Sequence, residues 1–130
     1  MKKTGGAADA VLACFFNVKA IADFAKRAAR DVMIVCAGTL GQPSLEDTVC
    51  GGMIAEMLER TSSGKIAEAI SLLHKYKNNL RACMRDSHHG QHLIKIGFEA
   101  DLDFASQAGI TRIIPALQTN DDGMMIIRAI

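Results

Sequence analysis

The sequence predicts an α/β fold: a three-layer α/β/α arrangement around a small, mostly parallel or mixed sheet, closed by a C-terminal hairpin. Three observations carry this. Between Val11 and Arg60, short apolar runs alternate with stretches of helical periodicity, an order that calls for parallel strands joined by helical crossovers. From Val32 to Leu58 the chain reads strand, Gly-rich turn, helix. Near the end, Asn120-Asp121-Asp122-Gly123 separates two apolar runs, which is a hairpin signal. The length, 130 residues, suits one domain over 1–130.

The elements follow in order. Val11 to Phe16 is apolar and aromatic, the pattern of a buried strand, and Asn17 then caps a helix over Val18 to about Arg30. In that helix Ile21, Phe24, Ala25 and Ala28 share a face, while Lys26, Arg27 and Arg30 suit its C-terminal dipole. Val32 to Gly38 is the second strand, and Leu45 to about Arg60 the helix beyond its turn. Thr61 to Lys65 breaks the chain before an amphipathic helix marked by Ile66, Ile70 and Leu73. Leu80, Cys83 and Met84 extend that helix or begin a short second one. Ser87 caps a further helix through Ile96, closed by Gly97. Phe98 to Ala108 is a last helix, Thr111 to Leu117 a strand, and Pro115 within it marks an edge or a bulge.

Composition narrows the function. With 49% hydrophobic and 22% charged residues, the chain is an ordinary globular one. The formal charge is +1, basic residues are interspersed with acidic ones, and one Tyr with no Trp leaves little for base stacking, so no nucleic-acid partner is expected. No apolar stretch reaches membrane-spanning length, and the N-terminal run is interrupted by Asp9 without a cleavage pattern, so no membrane partner and a cytoplasmic location are expected. Cys14, Cys36, Cys50 and Cys83 lack the spacing of a disulfide framework or a zinc ribbon, which fits a reduced protein.

The chemistry is expected where the second strand meets its helix. In parallel α/β sheets, ligands bind at such junctions because backbone N–H groups and helix dipoles converge there. Gly38 and Gly41 leave amides open to an anion, with Cys36, Thr39 and Ser44 around them and Asn17 at the other strand end. Glu46 and Asp47 admit two readings. They complement the helix dipole in a near capping box with Ser44 as N-cap, or they hold a divalent cation while the turn cradles phosphate. Gly51-Gly52 in mid-helix suggests close packing on the sheet.

The segment VMIVCAGTLGQPSLEDTVCGGMIAEML resembles the signature of the 2-phosphosulfolactate phosphatases, in which a strand ending in C-A-G leads to S-L-E-D and a Gly-containing helix. DSHHGQHLIKIGFEADLDFASQAGITRIIPAL and FFNVKAIADFA are similar to the same family. The resemblance covers the C-terminal part of the family's length. It implies the three-layer α/β fold and a Mg2+-dependent phosphatase that hydrolyses 2-phosphosulfolactate to sulfolactate and phosphate, on the way to coenzyme M. It assigns Glu46 and Asp47 to catalysis and metal binding. Asn17, Cys36, Gly38, Thr39, Gly41, Ser44, Ser87 and His89 are placed around a small anionic phosphoester. The family's T-N-G-T-like turn stands here as Thr4-Gly5-Gly6. The other reading is a non-catalytic remnant, a small-anion-binding or subunit-assembly domain. With half the family's length missing, a homo-oligomer or a partner chain supplying that half is expected.

Other candidates weaken on inspection. Cys36 lacks the Arg six residues on that Cys-based phosphatases use, since Gln42 stands there. Asp101-x-Asp103 lies in an amphipathic pattern rather than after a strand, and reads as a solvated helix face. His88 and His92, four apart, share a helix face as metal ligands would, yet no Glu and no third ligand accompany them. The resemblance implies another role, in which Ser87, the imidazoles and Gly90 at a helix N-terminus receive a sulfonate or phosphate; plain surface or capping histidines are the other reading.

Overall fold

The computed structural model describes residues 6–59 and 64–130. Among them the chain forms α1 (Val18–Ala28), α2 (Leu45–Met57), α3 (Lys65–Tyr76), α4 (Leu80–Asp86), α5 (His88–Lys95), α6 (Asp101–Ala105), β1 (Pro115–Thr119) and β2 (Met125–Ala129). The fold is mixed helix and strand. Thr4 and Gly5 of the altered turn, and Thr61 to Ser63 of the expected chain break, lie outside the described residues.

The helices start where side chains replace the missing intrahelical acceptors. Ser44 accepts from the amide of Asp47, Asn79 from Ala82, and Ser87 from Gly90. α1 ends at Ala28 rather than Arg30 because Ala29 turns left-handed, at φ 50°. The predicted helix over 98–108 contracts to Asp101–Ala105. Its flanks are instead tied to the N-terminal segment, the Gly109 amide to Phe15 O and the Thr111 amide to Phe16 O.

The core gathers Phe15, Val18, Ile21, Val49, Cys50, Ile54, Leu73, Tyr76, Cys83 and Ile114, so α1 to α4 pack around α2. Gly52 sets the distance between α2 and α3: a Cβ there would run into the backbone carbonyl of Ala69. Gly51, on another side of α2, meets Ile34 and Cys36, so of the glycine pair only Gly51 packs toward the expected strand.

The sheet differs most from expectation. The hairpin forms, antiparallel, with Pro115 opposite Ala129 and Thr119 opposite Met125. The predicted first strand is an extended piece with one bridge, Val11 to Ala116, followed by a 3-10 turn at Phe15–Asn17. It runs antiparallel to β1, with bonds from Leu12 N to Pro115 O and from Leu117 N to Ala10 O. Val32 to Ala37 forms neither helix nor turn, and no ladder joins it to any described residue. The described sheet is therefore two-stranded and antiparallel instead of mostly parallel or mixed. A strand is defined by neighbours as much as by its own sequence, and these runs find few.

Candidate anion-binding site

α2 and α5 begin on the same cavity. Its volume is about 390 Å³, and its walls include Thr39, Gln42, Ser44, Glu46, Ser87 and His89. Both N-caps are buried serines, at 7% and 1% exposure. Ser44 Oγ accepts from the Asp47 amide at 3.2 Å. Ser87 Oγ accepts from the Gly90 amide at 2.9 Å and donates to Met84 O at 2.8 Å. These bonds occupy the third amide of each helix. The first two, of Leu45 and Glu46 and of His88 and His89, have no acceptor among the described residues, and all four residues line the cavity. Two helix N-termini, each with uncommitted N–H groups and the positive end of its dipole, thus border one space.

The turn before α2 is held from below. Thr39 and Gln42 exchange two backbone bonds of 2.9 Å, closing a two-residue loop in which Leu40 and Gly41 have φ of 51° and 78°. Leu40 is 94% exposed, so an apolar residue in the left-handed region lies on the cavity rim with little packing to hold it. Gly38, at φ 73°, is required: a Cβ would stand 2.5 Å from the Gln42 carbonyl oxygen. Its amide donates to Asp47 Oδ2 at 2.8 Å.

That bond separates the two acids. Glu46 lines the cavity, whereas Asp47 turns its carboxylate to the Gly38 amide and does not line it. Cys36 is likewise outside the wall. Its thiol donates to the Asp47 carbonyl at 3.5 Å, and partial burial, with the Asp47 charge second, pushes its pKa up, the reverse of what a thiolate nucleophile needs.

Asn17 is remote from the cavity walls. Buried at 4% exposure, its amide group accepts from Cys14 N and donates to Leu12 O and Ile113 O at 2.9–3.1 Å, with no capping bond to α1. It acts as a clamp between two chain segments. Of the expected site residues, then, Thr39, Ser44, Glu46, Ser87 and His89 come together on the wall, while Gly38 and Gly41 shape the turn beside it. Asn17, Cys36 and Asp47 stand behind or away from it.

Six wall residues were not among the expected site residues: Leu40, Gln42, Pro43, Leu45, Asp86 and His88. Asp86 directly precedes the Ser87 cap, and that adjacency was its one signal. Its carboxyl lies below the ordinary value chiefly through the Arg85 hydrogen bond, with Tyr76 Oη contributing at 3.2 Å. Asp103 pairs with Arg81 across α6 and α4, as a helix-face acid. Among the described residues no three His, Cys, Asp or Glu side chains form a metal-holding group, and no helix is long and apolar enough to cross a membrane.

Two helix N-termini border one cavity on a mixed helix-and-strand scaffold, a setting in which small anions are commonly held. The family model for 2-phosphosulpholactate phosphatase matches residues 1–120, and the chain belongs to that family. A probable 2-phosphosulfolactate phosphatase of Caldanaerobacter subterraneus is 33% identical over 122 residues, 91% of this chain and 51% of the relative. One of Symbiobacterium thermophilum is 35% identical, over 88% of this chain and 52% of its own. One of Thermotoga maritima is 34% identical, over 82% and 47%. The chain spans about half the length of these curated relatives.

Proposed function

We propose that this chain carries the anion-binding part of a phosphatase for small acidic phosphoesters such as 2-phosphosulfolactate, which water converts to sulfolactate and phosphate. The observation that carries the reading is the convergence of the uncommitted Leu45, Glu46, His88 and His89 amides on one cavity. Charge that builds on a transferring phosphoryl group is stabilised by such preoriented donors. The cavity also has room for a second anionic group, such as a sulfonate or carboxylate, at whichever helix end the phosphoryl group leaves free.

Mg2+ belongs to the reading as a proposal. Glu46 would hold it, since Asp86, the other carboxylate on the wall, already accepts from Tyr76 Oη and the Arg85 guanidinium. A single wall carboxylate suits a cation which keeps several waters and takes one or two carboxylates plus substrate oxygens. When bound, the ion would neutralise phosphoryl charge. Asp47 does not fit as a ligand while its carboxylate holds Gly38. We likewise propose the three-layer α/β/α arrangement for the family's full fold, of which this chain supplies part.

The second reading, binding without hydrolysis, is favoured by one observation. Asp47 is committed to the turn, and Glu46 is left as the one acid of that pair on the wall. Phosphate release from 2-phosphosulfolactate, with and without Mg2+, separates the two. The phosphatase reading expects Mg2+-stimulated release that falls at least tenfold in Glu46→Gln. Absent release together with stabilisation by inorganic phosphate in a thermal melt establishes binding alone. Neither release nor stabilisation overturns both.

A further inference from the structure

We infer that Val32 to Cys36 is the docking strand for a β-strand from the half of the family's fold that this chain does not match. The inference stands apart from the phosphatase reading and concerns assembly alone.

Three observations support it. The segment is neither helix nor turn, its Ile34 and Cys36 approach the same residue of α2 at the two-residue spacing of a strand face, and none of its backbone groups from Val32 to Ala37 bonds to another backbone group among the described residues. A free edge of this kind is a template for strand addition. Its side chains are apolar on both faces: Ile34 and Cys36 approach Gly51 of α2, while Met33 and Val35 are 86% and 71% exposed. Solvent-facing strands alternate apolar with polar residues, and apolarity on both faces marks an interior strand with covers on either side. α2 supplies one cover. The neighbouring strands and the second cover are absent from the described residues.

The lengths of the relatives indicate where they come from. The relatives share this region and are about twice as long, with 51% and 52% of their chains matched. The unmatched half is the part of the family's fold available to flank this strand. A second copy of the chain is a poorer occupant. It would bring the same single strand to one edge and still leave each outer face short of a cover. The net charge of +1 sets up little repulsion against an incoming apolar strand.

The test is co-production of this chain with a polypeptide equal to the unmatched half of the Symbiobacterium thermophilum relative, and in parallel that of the Caldanaerobacter one. The expected result is a one-to-one complex in which amide exchange across Met33 to Ala37 slows at least tenfold relative to the free chain. Met33→Glu with Val35→Glu, both at exposed positions, leaves the free chain's melting temperature unchanged and weakens the complex at least tenfold. Val35→Pro, which removes a ladder donor and fixes φ, weakens it as well. The inference is overturned if neither half binds, or if both variants bind as the parent does. It is also overturned if exchange at Met33 to Ala37 is already slow in the dilute free chain, or slows with that chain's own concentration, which would mark a second copy. Each readout is independent of phosphate release, so failure here leaves the cavity's function unaffected.

Discussion

α2 has two flanks of opposite character. On one, Gly52 lets the helix approach the backbone of α3 so closely that Ala69 O occupies the space of a Cβ, and His74 of α3 reaches Glu56 at 2.5 Å. On the other, Gly51 meets only the Ile34 methyl and the Cys36 sulfur of an unpaired segment. The first flank is a finished interface between rigid elements. The second is half of one. The glycine pair, which looks like a single feature in sequence, thus serves two interfaces whose mechanical stiffness differs.

The sharpest way to break that contrast is to add a methyl group to each flank in turn. In an exposed helix either Gly→Ala change would stabilise by about 1 kcal/mol. At Gly52 the added Cβ meets backbone, which yields only by moving a whole helix, and overpacking of this sort costs roughly 1–3 kcal/mol or more. Gly52→Ala is therefore expected to lower stability by about 2 kcal/mol net. At Gly51 the nearest atom is a side-chain methyl at 3.3 Å on a segment free to shift, so the propensity gain prevails and Gly51→Ala is neutral or stabilising. Urea denaturation of the two variants decides it. Equal losses would mean that the Val32 to Cys36 segment is as firmly held as α3.

The same contrast explains what sequence could and could not show. The helix starts were legible because Ser44 and Ser87 act locally, through an amide three residues on. The hairpin was legible because Asn120 to Gly123 is a self-contained turn, in which Asn120 Oδ1 takes the Met124 amide at 2.8 Å. Both junction serines of the cavity were found, the first by local pattern and Ser87 with the help of family resemblance. The two predicted strands were read from apolarity, and apolarity reports burial without naming the neighbour that provides it. Val11 to Phe16 is tied to the C-terminal segment, while Val32 to Cys36 waits without a ladder. Asp47 shows the same limit. A first-turn acid is the same letter whether it faces ligand or its own turn, and only the position of the Gly38 amide distinguishes the cases.

Cysteines sharpen the comparison at a smaller scale. Cys50 on α2 and Cys83 on α4 are buried in the core, and burial is the first cause pushing each thiol up to about 12 from an ordinary 9.0. Cys36 and Cys14 are exposed. In the native protein a thiol reagent should modify Cys14 and Cys36 and spare Cys50 and Cys83 until the chain unfolds. The sign of the pH effect follows from the same burial. Between pH 9 and 12 the unfolded chain releases thiol protons that the folded chain keeps, so the stabilising contribution is whole below about pH 9 and declines toward pH 12. A midpoint in urea that rises from pH 9 to pH 11 would contradict the buried placement of both thiols.

The smallest expected effect decides between two roles for one carboxylate. If Asp47 positions the turn, its removal acts without any metal. Asp47→Ala deletes the acceptor of the Gly38 amide and a favourable charge in the first turn of α2, and is expected to cost about 1–2 kcal/mol. Asp47→Asn keeps an oxygen for Gly38 and gives up only the charge, so its loss should be under about 1 kcal/mol. Both measurements are made in chelator, where a metal ligand would contribute nothing to stability. Amide exchange at Gly38 should quicken in Asp47→Ala and stay near the parent's rate in Asp47→Asn. A pair of variants indistinguishable from the parent in chelator, but with altered Mg2+ dependence, would return Asp47 to the metal. The predicted ranking instead makes it the strut that ties Gly38, at the end of the Val32 to Ala37 segment, to the first turn of the helix whose N-terminus borders the cavity.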